Sequence, residues 1–366
     1  MMLRVVLNRL FAHLDGPLVG LLCLLLLLGS VVVFSASGEN SARILSHFLN
    51  LSVALGAMLL VSHIPPQRLM QFALPAYVLG VLLLLGVALF GVIVNGSRRW
   101  LELGVTRIQP SELMRLAAPM MLAWYLHYKQ ETMRGRDFAV AGLLLALPVG
   151  FIAKQPDLGT SLLITASGFY VLFLGGLSWK VIVGAGTLAA AAVPVAWNYL
   201  LHDYQRQRVL TLIDPASDPL GAGYHIIQST IAVGSGGVAG KGWMAGTQTH
   251  LDFLPERSTD FIFAVYSEEF GLVGNLFLLL LYAAIIWRGL MLASGAPSLF
   301  GRLLAGAIVL TFATYAFVNM GMVSGILPVV GVPLPLISYG GTSMVTVLVG
   351  FGIVMSLVTH KKLVKT

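Results

Sequence analysis

The sequence predicts an all-α polytopic membrane protein, and three observations carry that prediction. Of 366 residues, 57% are hydrophobic and only 10% are charged, against about a quarter charged in an ordinary soluble chain. The mean hydropathy is +0.88. The apolar residues gather into successive runs near the roughly 20-residue length that crosses a hydrocarbon core. A soluble multidomain protein is excluded on these grounds. The formal charge of +7 does not mark a nucleic-acid binder, because the basic residues are scattered through short loops without a stripe or aromatic interleaving. The single cysteine, Cys23, lies in the first apolar run, so neither an intramolecular disulfide nor a cysteine metal site can form.

Apolar runs at about 17–37, 44–62, 73–94, 138–153, 158–177, 181–201, 261–287 and 303–326 read as spans. Two weaker runs complete the set. Residues 111–127 contain Glu112, Arg115 and Pro119, and 343–359 is short and contains glycine. Arg4 and Arg9 precede the first run, which ends in Ser35-Ala36-Ser37, a small-x-small pattern like a cleavage site. The run exceeds the 7–15-residue core of a signal peptide, so it is read as an uncleaved first span. Ten crossings put both termini on one side. An inside N-terminus leaves twelve Lys and Arg inside and ten outside. Four of the ten (Arg206, Arg208, Lys241 and Arg257) belong to a long loop that the positive-inside rule discounts. The reading is therefore a single transmembrane domain over 1–366 with both termini cytoplasmic. Its extracytoplasmic loops are about 95–110, 321–342 and a large 202–260 loop between spans seven and eight.

The segment "NGSRRWLELGVTRIQPSELMRL" (95–116) places Arg98, Arg99, Arg107 and Arg115 on the side where short loops are usually poor in them. Alternation about Gly104 predicts a small hairpin, and Pro110-Ser111 opens a helix with Ser111 as its cap. Glu112 and Arg115, three apart, share a helix face and can pair. The arginines are either interfacial anchors or a cationic surface for an anionic group, and a guanidinium fork suits phosphate. In "KQPDLGTS" (154–161), Pro156 ends one helix and Asp157 caps the next, while Lys154 and Gln155 are candidates for a polar pocket wall.

The glycine-dense "YHIIQSTIAVGSGGVAGKGWMAGTQ" (224–248) is not a Walker A loop. That motif needs Gly six residues before its Lys and Ser or Thr after it, whereas Lys241 has Ser235 and Gly242 there. The segment either brings backbone amides to a polar head group or forms a re-entrant hairpin packed on the bundle. In "LPERSTDFIFAVYSEEFG" (254–271), Glu256, Arg257 and Asp260 stand at the mouth of the eighth span. Glu268 and Glu269 follow roughly 12 Å further along the helix. Ionisable groups at that depth are paired or functional, and at least one glutamate is expected to meet an arginine or polar backbone. The proline- and glycine-rich "GILPVVGVPLPLISYGGTS" (325–343) cannot form a regular helix. Such backbone persists near membrane depth where protein or a wet cavity satisfies it, so a cavity is expected beside it.

Five blocks, "GSRRWLELGVTRIQPSE", "KQPDLGTS", "GSGGVAGKGWMAGTQ", "FLPERSTDFIFAVYSEEFGLVG" and "LPLISYGGTS", in this order and with ten-span spacing, resemble the SEDS family (shape, elongation, division and sporulation). The wording "LPERSTDFIFAV" and the short termini point to its elongation branch. The resemblance implies a multi-pass protein of the bacterial cytoplasmic (inner) membrane, a peptidoglycan glycosyltransferase that polymerises lipid II at the outer face for cell-wall elongation and cell shape. The partners implied are lipid II, the nascent glycan strand, a class B penicillin-binding protein transpeptidase and other elongation-complex membrane proteins, with no nucleic acid. Asp260 matches the family's essential acid. Glu112 and Arg115 match a further acidic–basic pair, in which the family commonly has Lys where this chain has Arg115. That departure keeps the charge and puts any lysine-specific proton role in doubt.

The implied reaction is attack by a sugar 4-hydroxyl on C1 of a sugar that leaves a polyprenyl diphosphate. An alcohol nucleophile calls for a positioned carboxylate base, and a diphosphate leaving group calls for cations. On this reading Asp260 accepts the proton, Arg99, Arg107, Lys154 and Arg257 hold the diphosphate, and Glu112–Arg115 shapes the floor. Gln248, Glu256 and Ser338 complete the substrate site. A divalent cation, Mg or Mn, bridging Asp260 and the diphosphate is chemically reasonable, although no ligand set in the sequence demands one. Two rival readings stand beside the polymerase: a lipid II flippase, which needs a polar path across the whole bilayer, and a non-catalytic scaffold that activates a transpeptidase.

Overall fold

A computed structural model describes residues 12–38, 40–94, 97–102, 107–155, 157–201, 203–219, 221–250, 254 and 256–360. Its helices are α1 (Gly16–Ala36), α2 (Ser41–Ser62), α3 (Pro66–Phe90), α4 (Pro110–Tyr128), α5 (Gly135–Lys154) and α6 (Leu158–Leu174). Then come α7 (Trp179–Val195), α8 (Asp203–Ile213), α9 (Ala222–Ser235), α10 (Ile262–Ser294), α11 (Leu299–Val323) and α12 (Gly341–Thr359). Every expected span falls on a helix, the two weaker ones included. Among the described residues, eight helices are long and apolar enough to cross a membrane, and α6 is a shorter apolar helix of 17 residues. The 19-residue α4 carries Glu112 and Arg115 in its first two turns.

Local sequence sets the helix starts. Asp15 caps α1 by accepting the Leu18 N–H at 3.0 Å, and Asn40 caps α2 through the Arg43 N–H at 3.1 Å. Asp157 caps α6 as expected, accepting from Thr160 N at 3.2 Å. The cap of α4 is Gln109 rather than Ser111. Pro110 occupies the first helical position, and a proline forces the residue before it into extended backbone, so Gln109 takes the cap conformation and Ser111 lies inside the helix. The predicted hairpin is present: β2 (Ser97–Glu102) pairs antiparallel with β3 (Arg107–Ile108) and with β1 (Val92–Val94). Gly104 lies outside the described residues.

The core runs along α11, whose buried residues include Leu304, Val309, Phe312 and Asn319. Around it pack α10, α6, α4 and α12, and α2 lies along α12. None of the residues of α7 is buried. The α10 helix is broken at Gly271, which has φ 63° and ψ −159°. At that break the loop after α9 inserts its backbone. Leu272 N donates to Gly237 O at 2.9 Å and Val273 N to Val238 O at 3.1 Å, while Lys241 N donates to the Glu268 carbonyl and Gly242 N to the Glu269 carbonyl, both at 3.0 Å. The glycine-dense segment is thus a hairpin packed on the bundle. Its glycines are required there, because a Cβ at Gly240 would collide with the Glu269 carbonyl.

Loops from distant parts of the chain converge at one end of the bundle. Arg257 Nε donates to Ala36 O at 2.9 Å, Tyr339 N to Ser258 O at 2.8 Å, and Asn319 Nδ2 to Asp260 O at 2.8 Å. The other end is tied by the Arg288–Asp15 ion pair at 2.6 Å and by the stacked rings of His13 and His360, 3.8 Å apart.

Candidate functional site

Asp260 lies in the turn that enters α10. Its carbonyl is held by Asn319, whose Nδ2 also donates to Val332 O at 2.6 Å. Its carboxylate, by contrast, has no donor among the described residues. Gly331, at φ 70°, approaches it closely: a Cβ there would lie 3.5 Å from Asp260 Oδ2. Burial, reinforced by the nearby Glu256 charge, pushes the Asp260 carboxyl up to about 6. A carboxyl tuned toward neutrality and left unengaged suits proton transfer.

The 325–343 loop is braced against this turn by protein groups. Ser338 Oγ donates to Thr259 O at 2.6 Å and accepts from Leu334 N at 2.8 Å. Its buried hydroxyl therefore fixes the loop that carries Gly331. Glu256 is exposed, with φ 51°, and closes the turn by accepting the Thr259 hydroxyl at 2.8 Å. Arg257 reaches the C-terminal carbonyl of α1.

The other expected residues approach through α6 and α11. Arg99 pairs with Asp157 at 3.5 Å. Two residues on, Gly159 lies so near the Val330 carbonyl that a Cβ would be 2.9 Å from it, which links the Arg99–Asp157 pair to the Gly331 loop. The Glu112–Arg115 pair forms as expected, with Arg115 Nη1 2.8 and 2.9 Å from the two carboxylate oxygens. Glu112 also accepts the Thr346 hydroxyl at 3.1 Å. The Arg115 guanidinium lies 4.9 Å from the centre of the Tyr315 ring, one turn of α11 before Asn319. Lys154 is exposed at the end of α5. The side chains of Arg98 and Arg107 lie outside the described ones.

Glu268 and Glu269 are buried, and each has the polar partners expected. Glu268 accepts from Lys241 Nζ at 2.7 Å, Gln248 N at 3.0 Å and the Thr247 hydroxyl at 3.3 Å. Glu269 accepts from the Ser35 hydroxyl and from Met244 N at 3.1 Å. The charged partner is a lysine of the glycine hairpin rather than an arginine. Gln248 thereby has its backbone anchored, while its side-chain Oε1 is buried without a partner among the described residues.

Three contributors were missed in the sequence. Arg43, exposed in the first turn of α2, has Nη1 3.3 Å from Ser258 Oγ and its guanidinium 5.9 Å from the Tyr339 ring centre. Asn319 was hidden in an apolar span, and His225 stacks on Phe261 at 5.4 Å. The only signal available for Asn319 was a carboxamide in an otherwise apolar run. Among the described residues no three of His, Cys, Asp and Glu converge to hold a metal ion. A cation at Asp260 would therefore need substrate oxygens to complete its shell.

The model of the cell cycle protein family FTSW_RODA_SPOVE matches residues 17–363. Peptidoglycan glycosyltransferase MrdB of Escherichia coli (strain K12) is 50% identical over 351 residues, covering 96% of this chain and 95% of that protein. The probable peptidoglycan glycosyltransferase FtsW of Geobacter metallireducens is 35% identical, covering 91% and 92%. Among solved structures, rod shape determining protein RodA of Thermus thermophilus superposes with a TM-score of 0.68 at 31% identity, covering 93% of this chain and 95% of that one. A chain in a structure of a peptidoglycan synthase complex that coordinates polymerization and crosslinking gives a TM-score of 0.81 at 36% identity, covering 93% and 96%.

Proposed function

Because the chain belongs to the FtsW/RodA/SpoVE family of cell cycle proteins, we propose that Asp260 is the general base of its glycosyl transfer. The protein is a multi-pass inner-membrane peptidoglycan glycosyltransferase that polymerises lipid II in building the cell wall and cell shape, and it is closer in identity to MrdB than to FtsW. One observation carries the assignment of the base. Asp260 has its backbone fixed by Asn319 and its carboxylate raised toward neutrality and left without a donor among the described residues.

In the proposed step, Asp260 takes the proton of the acceptor 4-hydroxyl as that oxygen bonds to C1 of the donor sugar. The bond from C1 to the diphosphate oxygen breaks, and the polyprenyl diphosphate leaves from the opposite face with inversion. Arg99, Arg107, Lys154 and Arg257 neutralise the leaving group, and Arg43 joins them as the exposed guanidinium beside Ser258. Glu112–Arg115 braces α4 against α11 and α12, and Gln248, Glu256 and Ser338 shape the loops around the substrate. The chain forms one transmembrane domain over 1–366 with ten crossings and both termini cytoplasmic. The loop between spans seven and eight then faces outward, with Asp260 on its rim. A class B penicillin-binding protein is the crosslinking partner, in keeping with the synthase complex that contains a chain of this fold.

The test uses the purified full chain with its transpeptidase and labelled lipid II. Asp260→Ala is expected to lower polymerisation by roughly 10²–10⁴-fold while membrane insertion is retained and the melting temperature is not lowered. Polymer made at near wild-type rate removes Asp260 from the mechanism. Wild-type protein that moves labelled lipid II across vesicles without making polymer establishes the flippase instead.

A further inference from the structure

The helices α1 and α2 are neighbours in the chain but have different packing partners. The first lies on α10 and the second along α12, with little contact between them. Between them runs a groove of about 600 Å³, with Cys23, Leu27, Val31, Leu51, Leu55 and Trp243 among its lining residues. Among the described residues no charged side chain lines it. Leu27, Val31, Phe48 and Trp243 are exposed, so the groove opens on the surrounding bilayer. The twelve residues from Arg43 to Leu55 rise roughly 18 Å, about half the thickness of a hydrocarbon core.

The glycine hairpin supplies a wall near the Asp260 end of this groove. Trp243 Nε1 donates to Val31 O at 3.3 Å, and the indole tilts on Phe34 with 5.8 Å between ring centres. The hairpin is held there by Lys241 on Glu268 and by Met244 N on Glu269. Beyond the indole, the turn that bears Asp260 lies across the ends of both helices. Arg257 Nε reaches Ala36 O at the end of α1, and Arg43 in the first turn of α2 has Nη1 3.3 Å from Ser258 Oγ. An apolar channel therefore leads to two guanidiniums beside Ser258, two residues before Asp260.

We propose that the α1–α2 groove seats the polyprenyl chain of the lipid-linked sugar whose diphosphate leaves, with Arg43 and Arg257 on that diphosphate. The inference rests on the reading of Asp260 as the base and adds where the tail of its substrate lies. Lipid is as apolar as the walls of the groove, so apolarity alone does not select the occupant. The head group does. Two guanidinium forks at the mouth match two phosphates joined in a diphosphate, whereas phosphatidylglycerol carries one phosphate. The gain is orientation rather than transfer energy: a chain laid along α1 and α2 delivers its diphosphate to the turn that bears Asp260. The same placement gives the glycine hairpin a task, since its indole closes one side of the seat.

The test uses the full chain with its transpeptidase in phosphatidylcholine nanodiscs. A polyprenyl diphosphate with a photoreactive group in the far half of its chain is crosslinked to the Asp260→Asn variant, so the readout does not depend on turnover. Crosslinks are expected on the α1 and α2 peptides around Cys23 and Leu55. Unlabelled polyprenyl diphosphate should compete at concentrations roughly tenfold below those of phosphatidylglycerol or cardiolipin. Arg43→Gln is expected to weaken crosslinking roughly tenfold, the loss of one charge-assisted hydrogen-bonding group. In the active chain, Cys23→Trp and Leu55→Trp fill the deep end of the groove from its two walls. Each is expected to lower kcat/KM roughly tenfold for lipid II with its full polyprenyl tail. Neither should affect a farnesyl-tailed analogue, which ends short of them. Crosslinks outside α1 and α2, equal competition by the bilayer lipids, or equal losses with both tails overturn the proposal. None of these outcomes touches the assignment of the base, which Asp260→Ala tests separately.

Discussion

Asn319 Nδ2 donates to the Asp260 carbonyl at 2.8 Å while no described group donates to the Asp260 carboxylate. The two halves of one residue are thus treated oppositely: its backbone is fixed and its acid is left available. Because Asn319 also holds Val332 O, it ties the turn before α10 to the loop that carries Gly331. Asn319→Ala leaves the buried Val332 carbonyl and the part-buried Asp260 carbonyl without that donor, at about 1–3 kcal/mol for the first and less for the second. In polymerisation assays we expect kcat to fall more than KM rises, because the substrate cations are untouched while the base loses its register. A rise in KM alone would place Asn319 in substrate binding rather than in positioning the base.

A base must be deprotonated to act. With the Asp260 carboxyl pushed up to about 6, kcat/KM is expected to fall tenfold per pH unit below about 6 and to level off above it. Burial is the larger cause and the Glu256 charge the second. Glu256→Gln removes the second cause, so the acid limb should move to lower pH and the variant should outperform wild type in mildly acidic buffer. Initial rates of lipid II polymerisation across the acid range decide this. A limb that stays in place would mean that Asp260 does not feel Glu256.

The same shift sets a stability cost. The folded carboxyl titrates near 6 and its ordinary value is 3.8, so the folded state binds more protons between those values and stability falls as pH rises through them. The cost is absent below about 4 and complete above about 6. Asp260→Asn cannot ionise and escapes it. The variant should be inactive yet more stable than wild type at neutral pH, by on the order of 1–2 kcal/mol once solvent access to the half-buried group is discounted. The difference should vanish in melts near pH 4. An Asn variant less stable than wild type at neutral pH would contradict the burial assigned to Asp260.

What the sequence made legible was what short-range physics writes into it. Spans show as apolar runs because lipid demands about 20 residues of them. Asp157 shows as a cap, and Glu112–Arg115 as a pair, because each interaction closes within three residues. Ser111 was misplaced as the cap because the restriction that Pro110 imposes on Gln109 outweighs the hydroxyl's preference. The groups that position Asp260 lie far along the chain. Asn319 is 59 residues from Asp260, and Arg43 is 215 from Ser258, separations that leave no local period to read. Gly331 and Gly271 were visible as glycines, but the contacts that require them exist only in the folded bundle.

The clearest long-range contact to test is Lys241 with Glu268, 27 residues apart and 2.7 Å between Nζ and Oε1. The carboxylate is fully buried, whereas the lysine retains 28% side-chain exposure. The two truncations should therefore be unequal. Lys241→Ala strands a buried charge and is expected to cost roughly 2–4 kcal/mol. Glu268→Gln leaves only a lysine that can turn to water and should cost less. Combining the two should recover part of the Lys241→Ala loss, since the stranded charge is gone. Thermal melts of the three purified full-length variants read the order directly. No loss from either single change would mean that the hairpin is held by the backbone exchange at Gly271 and that the ion pair adds nothing to it.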